Sequence, residues 1–139
     1  MTESHPTIER VGGMLLAGGQ SRRFGAEKAV ARFGETLMMD AVAERFARFT
    51  DFAISARPGS AAATRATRLH ATILNDDPSL PSGPLAGVLE GLKWAHARNL
   101  DFLATAPCDA PLLPTDVFER LLDAIGLAPA AFAVTSVGE

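Results

Sequence analysis

The residues most able to do chemistry sit in a short glycine-rich stretch and at two separated aspartates. An apolar run, Val11-Gly12-Gly13-Met14-Leu15-Leu16-Ala17, opens directly into Gly18-Gly19-Gln20-Ser21-Arg22-Arg23-Phe24-Gly25, with Lys28 close behind. A polyphosphate needs backbone N–H donors that approach closely, and glycine permits that approach together with positive φ. It also needs cationic side chains to offset charge that builds on a departing pyrophosphate. Gly18 and Gly19 suit the first task; Arg22, Arg23 and Lys28 suit the second. The plainer alternative is a surface turn with solvated arginines. A buried strand immediately before the loop, and three cations gathered behind it, favour phosphate binding. The stretch does not spell the P-loop pattern G-x-x-x-x-G-K-[ST], and Gly18-Gly19 does not complete G-x-G-x-x-G, which argues against a dinucleotide-binding fingerprint.

Asp109 stands in Pro107-Cys108-Asp109-Ala110-Pro111, directly after another apolar run. A carboxylate held there between prolines is suited to a hard cation, and Mg²⁺ is commonly bound by one or two carboxylates plus phosphate oxygens and water. The alternative is an Asx turn in which Asp109 orders its own loop. Asp76 precedes Gly83-Pro84-Leu85-Ala86-Gly87, the entrance to a helix whose free N–H groups, with the Asp76 carboxylate, are placed to meet a base or ribose. The neighbouring Asp77 illustrates the other reading, an acid that only shapes a turn. The single cysteine, Cys108, has no histidine near it in sequence and reads as inert. His5, His70 and His96 lack metal-ligand spacing, and Trp94 reads as a packing residue.

These groups need a scaffold, and the spacing of apolar residues supplies one. Short runs at Val11–Ala17, Asp51–Ser55, Thr72–Asn75 and Asp101–Ala106 read as strands, and Ala131–Val134 reads as the opening of a fifth. Between them, Leu37–Phe49, Leu85–Arg98 and a segment from Pro114 to Ile125 have helical patterning, while Pro58–Arg68 reads as an irregular crossover with room for a weak helix. In the second helix Leu85, Val88, Leu89, Leu92 and Trp94 to Ala95 are expected to face the core, and in the third Pro114 or Thr115 is expected near the cap with Asp116 in the first turn. Strands alternating with helices imply an α/β fold: a Rossmann-like parallel β-sheet with helices on both faces. Ligands of such sheets sit beyond the carboxyl ends of the strands, where the glycine loop, Asp76 and Asp109 all fall.

Composition sets outer bounds. With 139 residues, 47% hydrophobic and 21% charged, the chain is long enough for one core, divided here into a tail (1–10) and one domain (11–139). A net charge of −3 gives no electrostatic case for nucleic acid. One cysteine excludes an internal disulfide, and the run at 11–17 is too short to span a bilayer, so a soluble cytoplasmic protein without a membrane partner is expected.

Three stretches together resemble the molybdenum cofactor guanylyltransferases, bacterial enzymes of the glycosyltransferase-A-like nucleotidyltransferase group. They are Leu16-Ala17-Gly18-Gly19-Gln20-Ser21-Arg22-Arg23-Phe24-Gly25-Ala26-Glu27-Lys28, Gly83-Pro84-Leu85-Ala86-Gly87 and Pro107-Cys108-Asp109-Ala110-Pro111. Glu27 and Phe24 depart mildly from the family pattern, which usually has Asp and Met there. The resemblance implies a nucleotide-diphospho-sugar transferase type of fold and transfer of GMP from GTP to molybdopterin, with Mg²⁺ as cofactor. It implies that Leu16, Ala17, Gly18 and Gly19 line the nucleotide site with Gly83, Pro84 and Leu85, that Lys28 contacts phosphates, and that Asp76 holds the nucleoside. Asp109 would contact nucleotide and Mg²⁺, and Arg22 and Lys28 would join it in catalysis. Ser55 stands where relatives can carry an Asn that reaches the nucleotide. Proteins of molybdoenzyme maturation are implied partners. The resemblance covers residues 11–137, and family members continue past that point, so the fold is expected to be incomplete at the C-terminus. The residues themselves leave open a cytidylyl- or sugar-1-phosphate nucleotidyltransferase, or a nucleotide-binding module without turnover.

Overall fold

The computed structural model describes residues 7–18, 28–81 and 83–132. In chain order its strands are β1 (Val11–Leu16), β2 (Arg32–Phe33), β3 (Thr36–Leu37), β4 (Asp51–Ser55), β5 (Thr72–Leu74) and β6 (Phe102–Pro107). Its helices are α1 (Met38–Ala43), α2 (Ala61–Arg68), α3 (Pro84–Ala97) and α4 (Val117–Ile125). Four strands form one sheet in the order β5-β4-β1-β6, with every pairing parallel. β2 and β3 form a separate antiparallel hairpin around Gly34, a turn legible in sequence although its two-residue strands carry no period.

β1 lies at the centre of the sheet and is apolar on both sides because helices cover both sides. Its odd positions, Val11 and Leu15, join the core formed with α1, α2 and α4. Its even positions face α3: Trp94 lies beside Gly12, and the Met14 sulfur lies beside Gly91. On the first side Phe46, 2% exposed, is ringed by Phe49, Phe52 and Phe118 with centroids 5.3, 5.0 and 4.6 Å away. Gly13 makes room for this cluster, since a Cβ there would lie 2.5 Å from Phe46 Cδ1.

α3 is where the expected orientation fails. Leu85 is 80% exposed, and Leu89 and Leu92 also face outward, while Ala86, Gly87, Gly91 and Ala95 are buried. The residues at 87, 91 and 95 recur every fourth position and form one stripe. They let the helix come close to the sheet: a Cβ on Gly91 would lie 2.6 Å from the Met14 sulfur and 2.8 Å from Leu103 Cδ2. Close approach, not side-chain hydrophobicity, sets the buried face.

Other boundaries differ for local reasons. The crossover after β4 contains a true helix, α2, which Ser60 caps by accepting from the Ala63 N–H at 3.1 Å. α1 is shorter than the pattern suggested and tightens into a 3-10 turn at Glu44–Phe46. At α4 the cap position is Asp116 rather than Pro114 or Thr115; its carboxylate accepts from Arg120 Nε at 3.0 Å and makes no cap bond. Ala131 and Phe132 form no strand, and 133–139, where the fifth strand was expected to continue, lie outside the described residues.

At the opposite edge from the glycine loop, Arg10 holds Asp101 with two hydrogen bonds of 3.0 and 2.9 Å, joining the entrances of β1 and β6. The hydrogen bond from Arg10, and then its charge, keep the Asp101 carboxyl below the usual carboxylate range. This contribution is therefore present above that range and is lost as pH falls through it; being exposed, it is screened by solvent. No described helix is long and apolar enough to cross a membrane.

Candidate functional site

Parallel register brings the strand ends into line. Leu16 pairs with Ser55 on one side and Pro107 on the other, and Ser55 pairs with Leu74. Backbone bonds carry this alignment into the loops: Ala17 N–H donates to Ser55 O at 2.8 Å, Ala56 N–H to Leu74 O at 3.1 Å, and Cys108 N–H to Leu16 O at 3.0 Å. With strands about 4.8 Å apart, the loop bearing Asp109 departs about 5 Å from the end of β1, and the loop bearing Asp76 about 10 Å on the other side. The two carboxylate loops therefore flank the segment that follows β1.

The result is a cleft of about 640 Å³ over the carboxyl ends of the sheet. It is lined by Leu16, Ala17 and Gly18 at the end of β1, by Ser55 and Asp76, by Asp109, and by Gly83, Pro84, Ala86 and Gly87 at the start of α3. That volume falls within the range of about 300–1,000 Å³ usual for small-molecule sites. Gly83, with φ 153° and ψ 173°, turns the chain into α3 through a conformation that essentially only glycine adopts, and Pro84 then opens the helix.

The two neighbouring acids of the β5 loop separate cleanly. Asp77 accepts from the Ser79 hydroxyl at 2.7 Å and the Ser79 N–H at 2.9 Å, and these bonds hold its carboxyl below the ordinary range. It shapes its own turn. Asp76 instead accepts from Ser55 Oγ at 3.3 Å and lines the cleft beside Gly18.

Asp109 is exposed, in the turn just past β6. A residue that sequence reasoning passed over steadies the segment after it. Arg45, only 14% exposed at its side chain, donates to Leu113 O at 2.7 Å, Pro111 O at 3.2 Å and Ala41 O at 3.2 Å. The available signal was an arginine inside the apolar stripe of Ala41, Val42, Phe46 and Phe49. Replacing Arg45 by methionine keeps its apolar stem and removes these donors. Amide hydrogen exchange at Cys108–Leu113 is expected to quicken about 10-fold, from loss of roughly 1.5 kcal/mol of local stability; unchanged exchange there would count against Arg45 as the anchor of that loop.

Of the expected site residues, Leu16, Ala17, Gly18, Ser55, Asp76, Gly83, Pro84 and Asp109 come together around this one cleft. Leu85 does not: its side chain is on the exposed face of α3 and is absent from the lining. Gly19 and Arg22 lie outside the described residues, as does the side chain of Lys28, whose backbone begins a 3-10 turn at Lys28–Val30. Arg57, unremarked in sequence, also lines the cleft and adds a cation at the end of β4. Cys108 lies on the lining beside Asp109, and Trp94 packs on Gly12 as expected.

Residues 13–139 match the MobA-like NTP transferase domain. The chain belongs to that family. Among curated relatives, the molybdenum cofactor guanylyltransferase of Cereibacter sphaeroides (strain ATCC 17029 / ATH 2.4.9) is 43% identical over 114 residues, covering 81% of this chain and 56% of the relative. That of Mesorhizobium japonicum is 36% identical over 128 residues, covering 91% and 61%. The chain thus spans less than two thirds of the length of the curated relatives it matches. Its fold is similar to molybdopterin-guanine dinucleotide biosynthesis protein A of Archaeoglobus fulgidus, with a TM-score of 0.64, 22% identity, and coverage of 85% of this chain and 57% of that one. It is likewise similar to a CMP:2-keto-3-deoxy-manno-octonic acid synthetase complexed with CTP, at TM-score 0.65, 18% identity, and coverage of 86% and 48%. The fold of this MobA-like domain is that of the nucleotide-diphospho-sugar transferases.

Proposed function

We propose that the cleft binds GTP and that this MobA-like domain belongs to an enzyme transferring GMP from GTP to molybdopterin, releasing pyrophosphate. The observation that carries the reading is the meeting of the β1 loop, Asp76 and Asp109 around one nucleotide-sized cleft. In the reaction an oxygen of the pterin's terminal phosphate forms a bond to the α-phosphorus of GTP, and the bond from that phosphorus to the bridging oxygen of the β-phosphate breaks. No covalent enzyme intermediate is needed, so orientation and charge neutralisation carry the rate.

Each residue then has a role. The backbone of Leu16, Ala17, Gly18 and Gly19 receives the phosphates, and Arg22 and Lys28 offset the charge of the leaving pyrophosphate. Asp76 accepts from the nucleoside, with the start of α3 beside it. Asp109 lies across the β1 loop from Asp76 and is the carboxylate for Mg²⁺. The donor set fits that ion. Asp76 and Asp109 are hard oxygen donors on one cleft, the ligand type that Mg²⁺ takes alongside water and phosphate oxygens. When bound, Mg²⁺ supplies charge neutralisation at the phosphates. Molybdopterin and the proteins of molybdoenzyme maturation are the partners of this reading.

Thermal unfolding with added nucleotide tests it. GTP at 100 times its dissociation constant is expected to stabilise the protein by about 2.7 kcal/mol, with CTP and UTP much weaker. Equal protection by CTP points instead to a cytidylyltransferase, and protection without pyrophosphate release in the presence of molybdopterin and Mg²⁺ points to a binding module. Lys28→Ala is expected to weaken GTP binding by about 10-fold or more while changing GMP binding little, because a charge-assisted bond to the outer phosphates is lost. Isothermal titration with both nucleotides reads this out; equal losses would contradict a phosphate role.

A further inference from the structure

Among the described residues Ser55, 1% exposed, is the buried polar side chain, yet it stands at the edge of the cleft. Its hydroxyl donates to Asp76 Oδ1 at 3.3 Å. The pair is enclosed on both sides by glycines. A Cβ on Gly87 would lie 2.8 Å from Ser55 Oγ and 3.5 Å from Asp76 Oδ1, and one on Gly18 would lie 3.4 Å from Ser55 Oγ and 3.5 Å from Asp76 Oδ2. The hydroxyl therefore sits in a slot made by the loop after β1 and the first turn of α3, with its one proton committed to the carboxylate.

We propose that Ser55 is a positioning residue that acts on the nucleoside through Asp76 rather than by touching it. This rests on the reading of the cleft as a nucleoside triphosphate site. A serine with almost no exposure offers a ligand little contact surface, but its bond to Oδ1 fixes the rotation of the carboxylate. Oδ2 then lies on the Gly18 side of the pair, where Asp76 and Gly18 line the cleft together. A fixed carboxylate oxygen accepts from paired donors, the vicinal hydroxyls of a ribose or the N–H edge of a guanine, without first losing rotational freedom. Gly87 belongs to the same device, because any side chain there displaces the hydroxyl. The inference also accounts for α3 presenting its smallest residues to the sheet at this point, where Gly87 also abuts Leu16.

Isothermal titration of the parent protein, Ser55→Ala and Gly87→Ala with two ligands, GTP and inorganic tripolyphosphate, tests the proposal. Ser55→Ala is expected to weaken GTP about 10-fold, the effect of losing one hydrogen bond to a charged group, and to leave tripolyphosphate unchanged. Gly87→Ala retains the hydroxyl but pushes it aside, so the same selective loss is expected; it carries the test alone if Ser55→Ala does not fold. In an Asp76→Ala background, which lacks the acceptor of the Ser55 hydroxyl, Ser55→Ala is expected to add little further loss, because its effect runs through that carboxylate. Unchanged GTP affinity in Ser55→Ala overturns the proposal, and so does an equal loss for both ligands, which marks a general structural role. A parent protein that binds no GTP overturns the reading of the cleft itself, whereas a parent that binds GTP alongside an indifferent Ser55→Ala variant overturns only the role of Ser55.

Discussion

Asparagine at position 109 is expected to lower Mg²⁺-dependent pyrophosphate release from GTP by about 100-fold or more, since one full negative charge facing the ion and the phosphates is removed. The parent fold is expected to survive. Asp109 is exposed, it follows a strand whose last pairings are backbone bonds, and a surface substitution of this kind typically moves stability by only about 0.5 kcal/mol. The measurement is paired: pyrophosphate release with and without Mg²⁺, and thermal unfolding without ligand. Where turnover is too slow to follow, the gain in GTP affinity on adding Mg²⁺ replaces it, and Asp109→Asn is expected to abolish that gain. A variant that unfolds would instead assign Asp109 to ordering its own turn, and one that keeps full Mg²⁺ dependence would move the metal elsewhere.

The second large effect concerns the scaffold. Phe46→Ala is expected to cost about 3–5 kcal/mol, because the ring is buried and packs on three other phenylalanines. Domains of this size are held by only about 5–15 kcal/mol in all, so the midpoint of urea unfolding should fall steeply while its slope stays near that of the parent. The cavity would open against Gly13 in the central strand, whose next residues lead to the floor of the cleft. A loss below about 1 kcal/mol would show that Phe49, Phe52 and Phe118 collapse into the space, and that the cluster is not the keystone its burial suggests.

The cleft at the carboxyl edge of the sheet was legible in the sequence because its signals are local. A glycine loop behind an apolar run, and acids behind two others, need only the α/β pattern to place them at one edge of a sheet. What was not legible depends on partners far away in the chain. The Ser55–Asp76 bond joins residues 21 apart and exists only because β4 and β5 pair in parallel register. Arg45 reaches carbonyls 66 and 68 residues away, and no local pattern announces that. On α3 the hydrophobic stripe of Leu85, Leu89 and Leu92 outweighed Gly87, Gly91 and Ala95 as a signal of burial. The sheet instead selects small residues where Met14 and Ser55 project toward the helix. α2 reads in sequence only as a weak helix within a crossover because alanine, threonine and arginine offer little apolar contrast, although Ser60 stood at its cap.

A crystal of the protein soaked with GTP and Mg²⁺ examines the central claim most directly. One triphosphate is expected against the backbone of Leu16–Gly18, with its nucleoside toward Asp76 and a Mg²⁺ ion between its phosphates and the Asp109 carboxylate. Nucleotide bound at any other face of the sheet, or a metal held without Asp109, would contradict it.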